Sequence, residues 1–166
     1  MPQVLVGLDL YKSFGLIQAL RGASITLDEG EIVAVMGPSG SGKSTLLHCL
    51  AGILPPDFGE VHFAGDRIDM MSDRERTQLR RTLFGFVFQF GQLVPELPAV
   101  ENIALPLLLA GRRRKAALAA ASTWLPRLGL DGLGGRLPGE LSGGEGQRVA
   151  LARALIAEPK IVFADE

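Results

Sequence analysis

The sequence predicts an α/β fold: a core sheet with an inserted α-helical subdomain. Three observations predict it. The apolar run Ile32-Val33-Ala34-Val35-Met36 has the pattern of a strand buried on both faces of a parallel sheet. A glycine-rich loop, Gly37-Pro38-Ser39-Gly40-Ser41-Gly42-Lys43-Ser44-Thr45, follows directly and opens into residues 44–51, which read as a helix stopping at Gly52. A second short apolar strand, Ile161-Val162-Phe163-Ala164, closes on Asp165-Glu166.

The remaining elements follow in order. Residues 4–10 and 23–27 read as strands flanking a loop at Tyr11-Lys12-Ser13-Phe14-Gly15, and Asp28-Glu29-Gly30 is a turn. Pro55-Pro56-Asp57-Phe58-Gly59 is irregular, and residues 60–63 form a strand ending at Gly65. Ser72-Asp73-Arg74-Glu75 has capping-box spacing and opens a helix to about Leu83, with Phe84-Gly85-Phe86-Val87-Phe88 a buried strand before Gln89. Residues 90–140 carry Pro95, Pro98 and Pro106, then an alanine-rich helix over about 112–125. They read as the helical subdomain, inserted into a core of residues 1–89 and 141–166. Ser142-Gly143-Gly144-Glu145 is a second capping box, opening a helix to about Ala157 that Pro159 ends.

Composition narrows the function. One hundred and sixty-six residues suit one domain, and 17 basic against 18 acidic residues give no global field favouring nucleic acid or an anionic membrane. A single cysteine, Cys49, forms no internal disulfide and reads as a small buried filler. The opening Met1-Pro2-Gln3 lacks the basic cluster of a secretory signal, and the most apolar segment, residues 103–110, contains Pro106 and is too short to span a bilayer. A soluble chain is expected, with any membrane part supplied by a partner.

The loop matches G-x-x-x-x-G-K-[ST], with Gly37, Gly42, Lys43 and Ser44 in the required places. Glycines let successive backbone N–H groups curl around an anion, and the helix N-terminus adds positive potential. Lys43 is expected to bind the β- and γ-phosphates of a nucleotide and the Ser44 hydroxyl to ligate Mg²⁺. At the end of the second strand Asp165 fits a Mg²⁺ ligand, and Glu166 is placed to polarise a water for attack on the γ-phosphate. Ser142-Gly143-Gly144 at another helix start makes a second anion site. One nucleotide cannot easily use both within a monomer, which suggests a dimer that closes each nucleotide with the second chain.

These residues resemble the Walker A, Q-loop, signature and Walker B motifs of the ATP-binding cassette (ABC) family, whose ATPases have a P-loop NTPase core. The matching stretches are residues 37–45, Gln89, residues 141–144 and residues 161–166, in the family's order and intervals over essentially the whole chain. The resemblance implies that Phe14 stacks on adenine, with Tyr11 the rival platform. It implies that Gln89 touches Mg²⁺ in the catalytic site and reports nucleotide state to a membrane partner. Ser142 and Gly144 are implied to contact the γ-phosphate of ATP held by the opposite subunit. Phe86-Val87-Phe88-Gln89-Phe90, Leu93-Val94-Pro95, Val100-Glu101-Asn102-Ile103 and Leu105-Pro106-Leu107 further resemble the lipoprotein-release and macrolide-export (LolD/MacB-like) type, with FtsE-like cell-division cassettes the nearest alternative.

The resemblance implies an ATPase subunit using ATP and Mg²⁺, in a homodimer, on an integral membrane permease at the cytoplasmic face of the cell membrane, with no nucleic-acid partner. The alternatives are an FtsE-like signalling cassette that activates an extracytoplasmic hydrolase, a DNA-maintenance ATPase, and a nucleotide binder that does not hydrolyse. Two departures stand out. Gly146 occupies a place where the family often has glutamine. The D-loop, a further helix and strand, and the switch histidine are not present, and that strand lies between the Walker A and Walker B strands in such folds. A fragment or damaged frame that folds poorly and hydrolyses little ATP is therefore expected, with a gap in the sheet.

Arg112-Arg113-Arg114-Lys115 reads as a solvated face or, second, as a contact for lipid headgroups or a permease loop. Trp124 and Leu125 read as subdomain core, and Glu96 and Glu101 as surface charges or, second, as a coupling contact with a permease. Met70-Met71, His48 and His62 offer no metal-ligand spacing.

Overall fold

The computed structural model describes residues 2–88 and 92–165, which belong to two compact units, Met1–Gln78 and Leu79–Glu166. Among the described residues, no helix is long and apolar enough to cross a membrane.

In the first unit, β1 (Gln3–Phe14), β2 (Ile17–Asp28), β3 (Phe58–Phe63) and β4 (Asp66–Arg67) form an antiparallel sheet in the order β2-β1-β3-β4. The loop expected at residues 11–15 is strand as far as Phe14, which pairs with Ile17 across a two-residue turn. Asp57 explains the difference. Lys12 Nζ donates to Asp57 Oδ1 and the Ser13 N–H to Oδ2, each at 2.7 Å, while the Asp57 N–H donates to the Tyr11 carbonyl at 2.8 Å. A partner distant in sequence thus overrides the local loop preference.

Helix α1 (Lys43–Leu50) packs on this sheet, where Gly7 gives Leu50 and Leu10 room. A methyl group on Gly7 would come within 2.8 Å of Leu50 Cδ2. As expected, α1 stops at Gly52. The Gly52 N–H donates to Cys49 O and the Ile53 N–H to His48 O, the bond pair of a Schellman cap, with Gly52 at φ 63°.

Cys49 is 1% exposed, and burial pushes its thiol up to about 11. It is the filler that its sequence context suggested. We expect it to resist alkylation at pH 8 until the unit unfolds, since the thiolate is the reactive form; rapid labelling of the native chain would contradict this. The folded thiol also keeps its proton above the ordinary value of 9.0, so its contribution to stability is present below pH 9 and is lost as pH rises toward 11.

The strand expected at residues 32–36 is not seen. These residues join neither sheet, and Ile32 and Met36 are 96% and 89% exposed. An apolar run becomes a buried strand only where neighbours take up its N–H and C=O groups. Neither described sheet supplies that neighbour.

Helix α2 (Asp73–Leu83) begins at the expected capping box. The Ser72 N–H donates to Glu75 Oε2 at 2.8 Å and the Glu75 N–H to Ser72 Oγ at 3.4 Å. It leads into β5 (Phe84–Val87) of the second unit, which pairs in parallel with β6 (Ile161–Ala164), Phe84 opposite Ile161 and Val87 opposite Ala164. Phe163 meets Phe84 edge-on at 5.3 Å and stacks on Phe86 at 5.6 Å.

Three helices, α3 (Ala99–Leu109), α4 (Arg114–Ser122) and α6 (Gly143–Leu155), surround a core that includes Ile103, Leu130 and Val149. Trp124 and Leu125, from the short α5 (Trp124–Arg127), pack against it as expected. The alanine-rich helix expected over 112–125 is divided at Thr123. There the Ser122 and Thr123 hydroxyls donate to the Leu118 and Ala120 carbonyls, competing with the helical ladder. Gly85 seats α6 on β5: a Cβ at that position would lie 2.5 Å from the Ala154 carbonyl oxygen.

Candidate functional site

The glycine loop is exposed over residues 37–41 and turns on glycines at positive φ. Gly40 and Gly42 have φ of 77° and 93°, conformations that side-chain-bearing residues adopt at a cost. At Gly42 a Cβ would also lie 2.3 Å from the Ala19 carbonyl oxygen. A turn closes inside the loop where the Ser41 N–H donates to Pro38 O at 3.2 Å, and Gly42 O accepts from the Leu46 N–H at 2.8 Å to start α1. No acidic residue stands in the first turn of α1, so its N-terminal potential is not offset locally. Lys43 arches over the loop, donating through Nζ to the Gly37 and Pro38 carbonyls at 3.0 Å each. Ser44 and Thr45 occupy the first helical turn beside it. Such a cradle fits a phosphate chain: N–H groups and an ammonium around a loop that carries no competing acid.

Phe14 lies at the end of β1, 50% exposed. Tyr11 is committed elsewhere, its phenol packed over Gly22, where a Cβ would lie 2.8 Å from the hydroxyl oxygen. That leaves Phe14 the better-presented aromatic surface of the two.

In the second unit, Ser142 is the N-cap of α6. Its N–H donates to Glu145 Oε2 at 2.7 Å, and its Oγ accepts from the Glu145 N–H at 3.3 Å. The bond from the Ser142 backbone, helped by its hydroxyl, holds the Glu145 carboxyl below its usual range. Gly143 and Gly144 are exposed in the first turn, leaving the helix start open. A methyl group on Gly146 would meet no atom within 4 Å, so nothing in the packing requires glycine there. We expect Gly146→Ala to raise stability by about 1 kcal/mol, the helix-propensity difference, read as a higher Tm; a fall would mean that the position has a hidden constraint.

Asp165 stands at the carboxyl end of β6, its N–H donating to Val87 O at 2.9 Å. Parallel strands present ligands at this end. Gln89 and Glu166, the residues expected to serve catalysis, lie outside the described residues. No cluster of three or more potential metal-ligating His, Cys, Asp or Glu side chains occurs among the described residues.

Two residues in this unit were not singled out as site residues by their sequence. Arg153 of α6 donates from Nη1 to the Gln92 carbonyl at 2.9 Å, and burial lowers its guanidinium pKa. Asn102 is fully buried and binds the preceding loop, its Oδ1 accepting from the Val94 N–H at 2.8 Å. Its Nδ2 donates to the Leu97 carbonyl at 2.7 Å and to that of Val94 at 3.0 Å. The signal for Arg153 was a cation within an otherwise apolar helix stripe; for Asn102 there was only a polar residue in an apolar segment.

Comparison with known proteins shows the family. The family model described as ABC transporter matches residues 20–166. A lipoprotein-releasing system ATP-binding protein LolD from Cytophaga hutchinsonii is 44% identical over 166 residues, spanning 100% of this chain and 76% of the relative. A LolD 1 protein from Rhodospirillum rubrum is 46% identical, with the same coverage of both chains. Among solved structures, the ATP-binding cassette MJ0796, in a dimeric post-hydrolysis state bound to ADP and Pi, is 37% identical. It superposes with a TM-score of 0.91 over 98% of this chain and 73% of that one. The chain belongs to the ABC transporter family, as an ATP-binding cassette of the ATP-hydrolysing type.

Proposed function

We propose that the chain binds ATP with Mg²⁺ between two copies of itself and couples this to a membrane permease, in export or lipoprotein release. The observation that carries the reading is the presence, in one chain, of two glycine-rich helix starts with different constructions. One has a lysine-crowned phosphate loop; the other is serine-capped and open. The first suits the phosphates of a bound nucleotide, and the second suits the γ-phosphate of a nucleotide bound by the partner copy. The relatives named as lipoprotein-releasing system subunits and the dimeric cassette neighbour support this assignment.

In this reading residues 37–45 hold the phosphates, Phe14 stacks on adenine, and Ser142, Gly143 and Gly144 close over the partner's nucleotide. Ser44, Gln89 and Asp165 hold Mg²⁺, which neutralises phosphate charge when bound. Glu166 takes the proton of the attacking water. Residues 1–89 and 141–166 form the nucleotide-binding core, and residues 90–140 form the helical subdomain that meets the permease at the cytoplasmic face of the membrane.

The test is Glu166→Gln in the full-length protein. ATP should still bind, turnover should fall by at least about 100-fold, as for loss of a general base, and sedimentation should show an ATP-dependent dimer. Parent-rate turnover would remove Glu166 from the base role, and an ATP-bound monomer would remove the shared site.

A further inference from the structure

The turn between α3 and α4 carries a surface that shares no residue with the phosphate loop or with the start of α6. Residues 109–116 are all exposed. Leu109, the last residue of α3, is 55% exposed, and Arg112, Arg113, Arg114 and Lys115 follow within one turn. Arg81 reaches the same place from α2, donating through Nη2 to the Leu109 carbonyl. Five cations therefore gather around one exposed leucine. Acidic compensation is slight: Glu101 pairs with Arg114 at 2.7 Å, and Arg112, Arg113 and Lys115 form no ion pair among the described residues.

Folding alone does not favour this arrangement. Cations in the first turn of a helix oppose its dipole, and α4 has no acid there to offset them. The chain is nearly neutral, at net charge −1, yet places its longest run of like charge at this tip. Cations around an exposed apolar side chain are what a bilayer surface with anionic headgroups accommodates. The guanidinium groups meet lipid phosphates while the leucine reaches the boundary between headgroup and acyl chain.

We propose that the α3–α4 turn is a docking surface for anionic phospholipid headgroups. This goes beyond coupling to a permease, because the contact is with the lipid itself. Nucleic acid would engage the same cations but has no comparable use for Leu109.

Co-sedimentation with vesicles tests the proposal without permease or nucleotide, so its outcome is independent of the cassette reading. The chain should bind phosphatidylcholine vesicles doped with phosphatidylglycerol, bind plain phosphatidylcholine vesicles weakly, and release as salt rises. At about fivefold per cation, the triple variant Arg112→Ala, Arg113→Ala, Lys115→Ala should lose about 100-fold in affinity. Leu109→Ser should weaken the same binding several-fold, and Arg74→Ala, in α2, should leave it unchanged. Circular dichroism would confirm that each variant is folded. Equal binding to neutral vesicles, or parent-like binding by the folded triple variant, would overturn the proposal. Tighter binding to an RNA homopolymer than to anionic vesicles, lost in the triple variant, would overturn it in favour of a nucleic-acid surface.

Discussion

Lys43→Ala is expected to abolish ATP binding while leaving the fold intact. The ammonium lies over the loop, at 3.0 Å from the Gly37 and Pro38 carbonyls, where the end of a phosphate chain would be received. Charge-assisted hydrogen bonds contribute about 1.5–3 kcal/mol each, so losing those to two phosphate groups should weaken binding by at least about 100-fold. Folding should be little affected, because the side chain is only half-buried and its protein partners are loop carbonyls near the surface. Titration calorimetry with ATP, beside circular dichroism of the same variant, makes the measurement. Undiminished affinity in a folded Lys43→Ala chain would remove the loop from the account.

Asn102→Ala is expected to be the most damaging single change in the second unit. The side chain is fully buried and satisfies one N–H and at least two carbonyls of residues 94–97. Alanine removes all of these partners at once, and each buried group left unsatisfied costs about 1–3 kcal/mol. A loss of about 3–5 kcal/mol follows, partly relieved if water enters. Trp124, the only tryptophan, packs against the same core, so its fluorescence in a urea titration reports the unfolding. Asn102→Asp should not rescue the variant, because a carboxylate cannot donate to the Leu97 carbonyl. A change within the roughly 0.5 kcal/mol typical of a surface substitution would show that the loop does not depend on this residue.

The parts of the fold legible in sequence were those fixed by local chemistry. The phosphate loop was legible because glycines at positive φ, a lysine and a helix start must occur at fixed spacing, and Gly40, Gly42 and Lys43 appear in that arrangement. The boxes at Ser72 and Ser142 were legible because a cap and its glutamate lie three residues apart. Strands β5 and β6 were readable as short apolar runs. What escaped depends on distant partners. The hairpin is long because Asp57 holds Lys12 and Ser13, and no local pattern announces that bond. Residues 32–36 have the composition of a buried strand, but burial is supplied by neighbours, and their side chains are largely exposed. Asn102 and Arg153 were illegible as anchors because their partners are backbone groups of a loop, which composition does not reveal.

The candidate site divided in the same way. Its loop and its capped glycine helix start could be named from sequence, and both are found at helix starts, of α1 and α6. Their pairing across two copies is a question of assembly. Gly144 offers a clean way to ask it, because a Cβ there meets nothing nearer than Arg148 Nη1 at 3.6 Å. Gly144→Asp can therefore place negative charge at the helix start without disturbing its packing.

Full-length Lys43→Ala and Gly144→Asp proteins should each be inactive alone, one lacking the loop cation and the other repelling the partner's γ-phosphate. Mixed in equal amounts, they should recover ATP turnover, since one of the two sites in a mixed dimer joins an intact loop to an intact helix start. A mixture as inactive as its separate components, or full activity of Gly144→Asp by itself, would contradict the shared site.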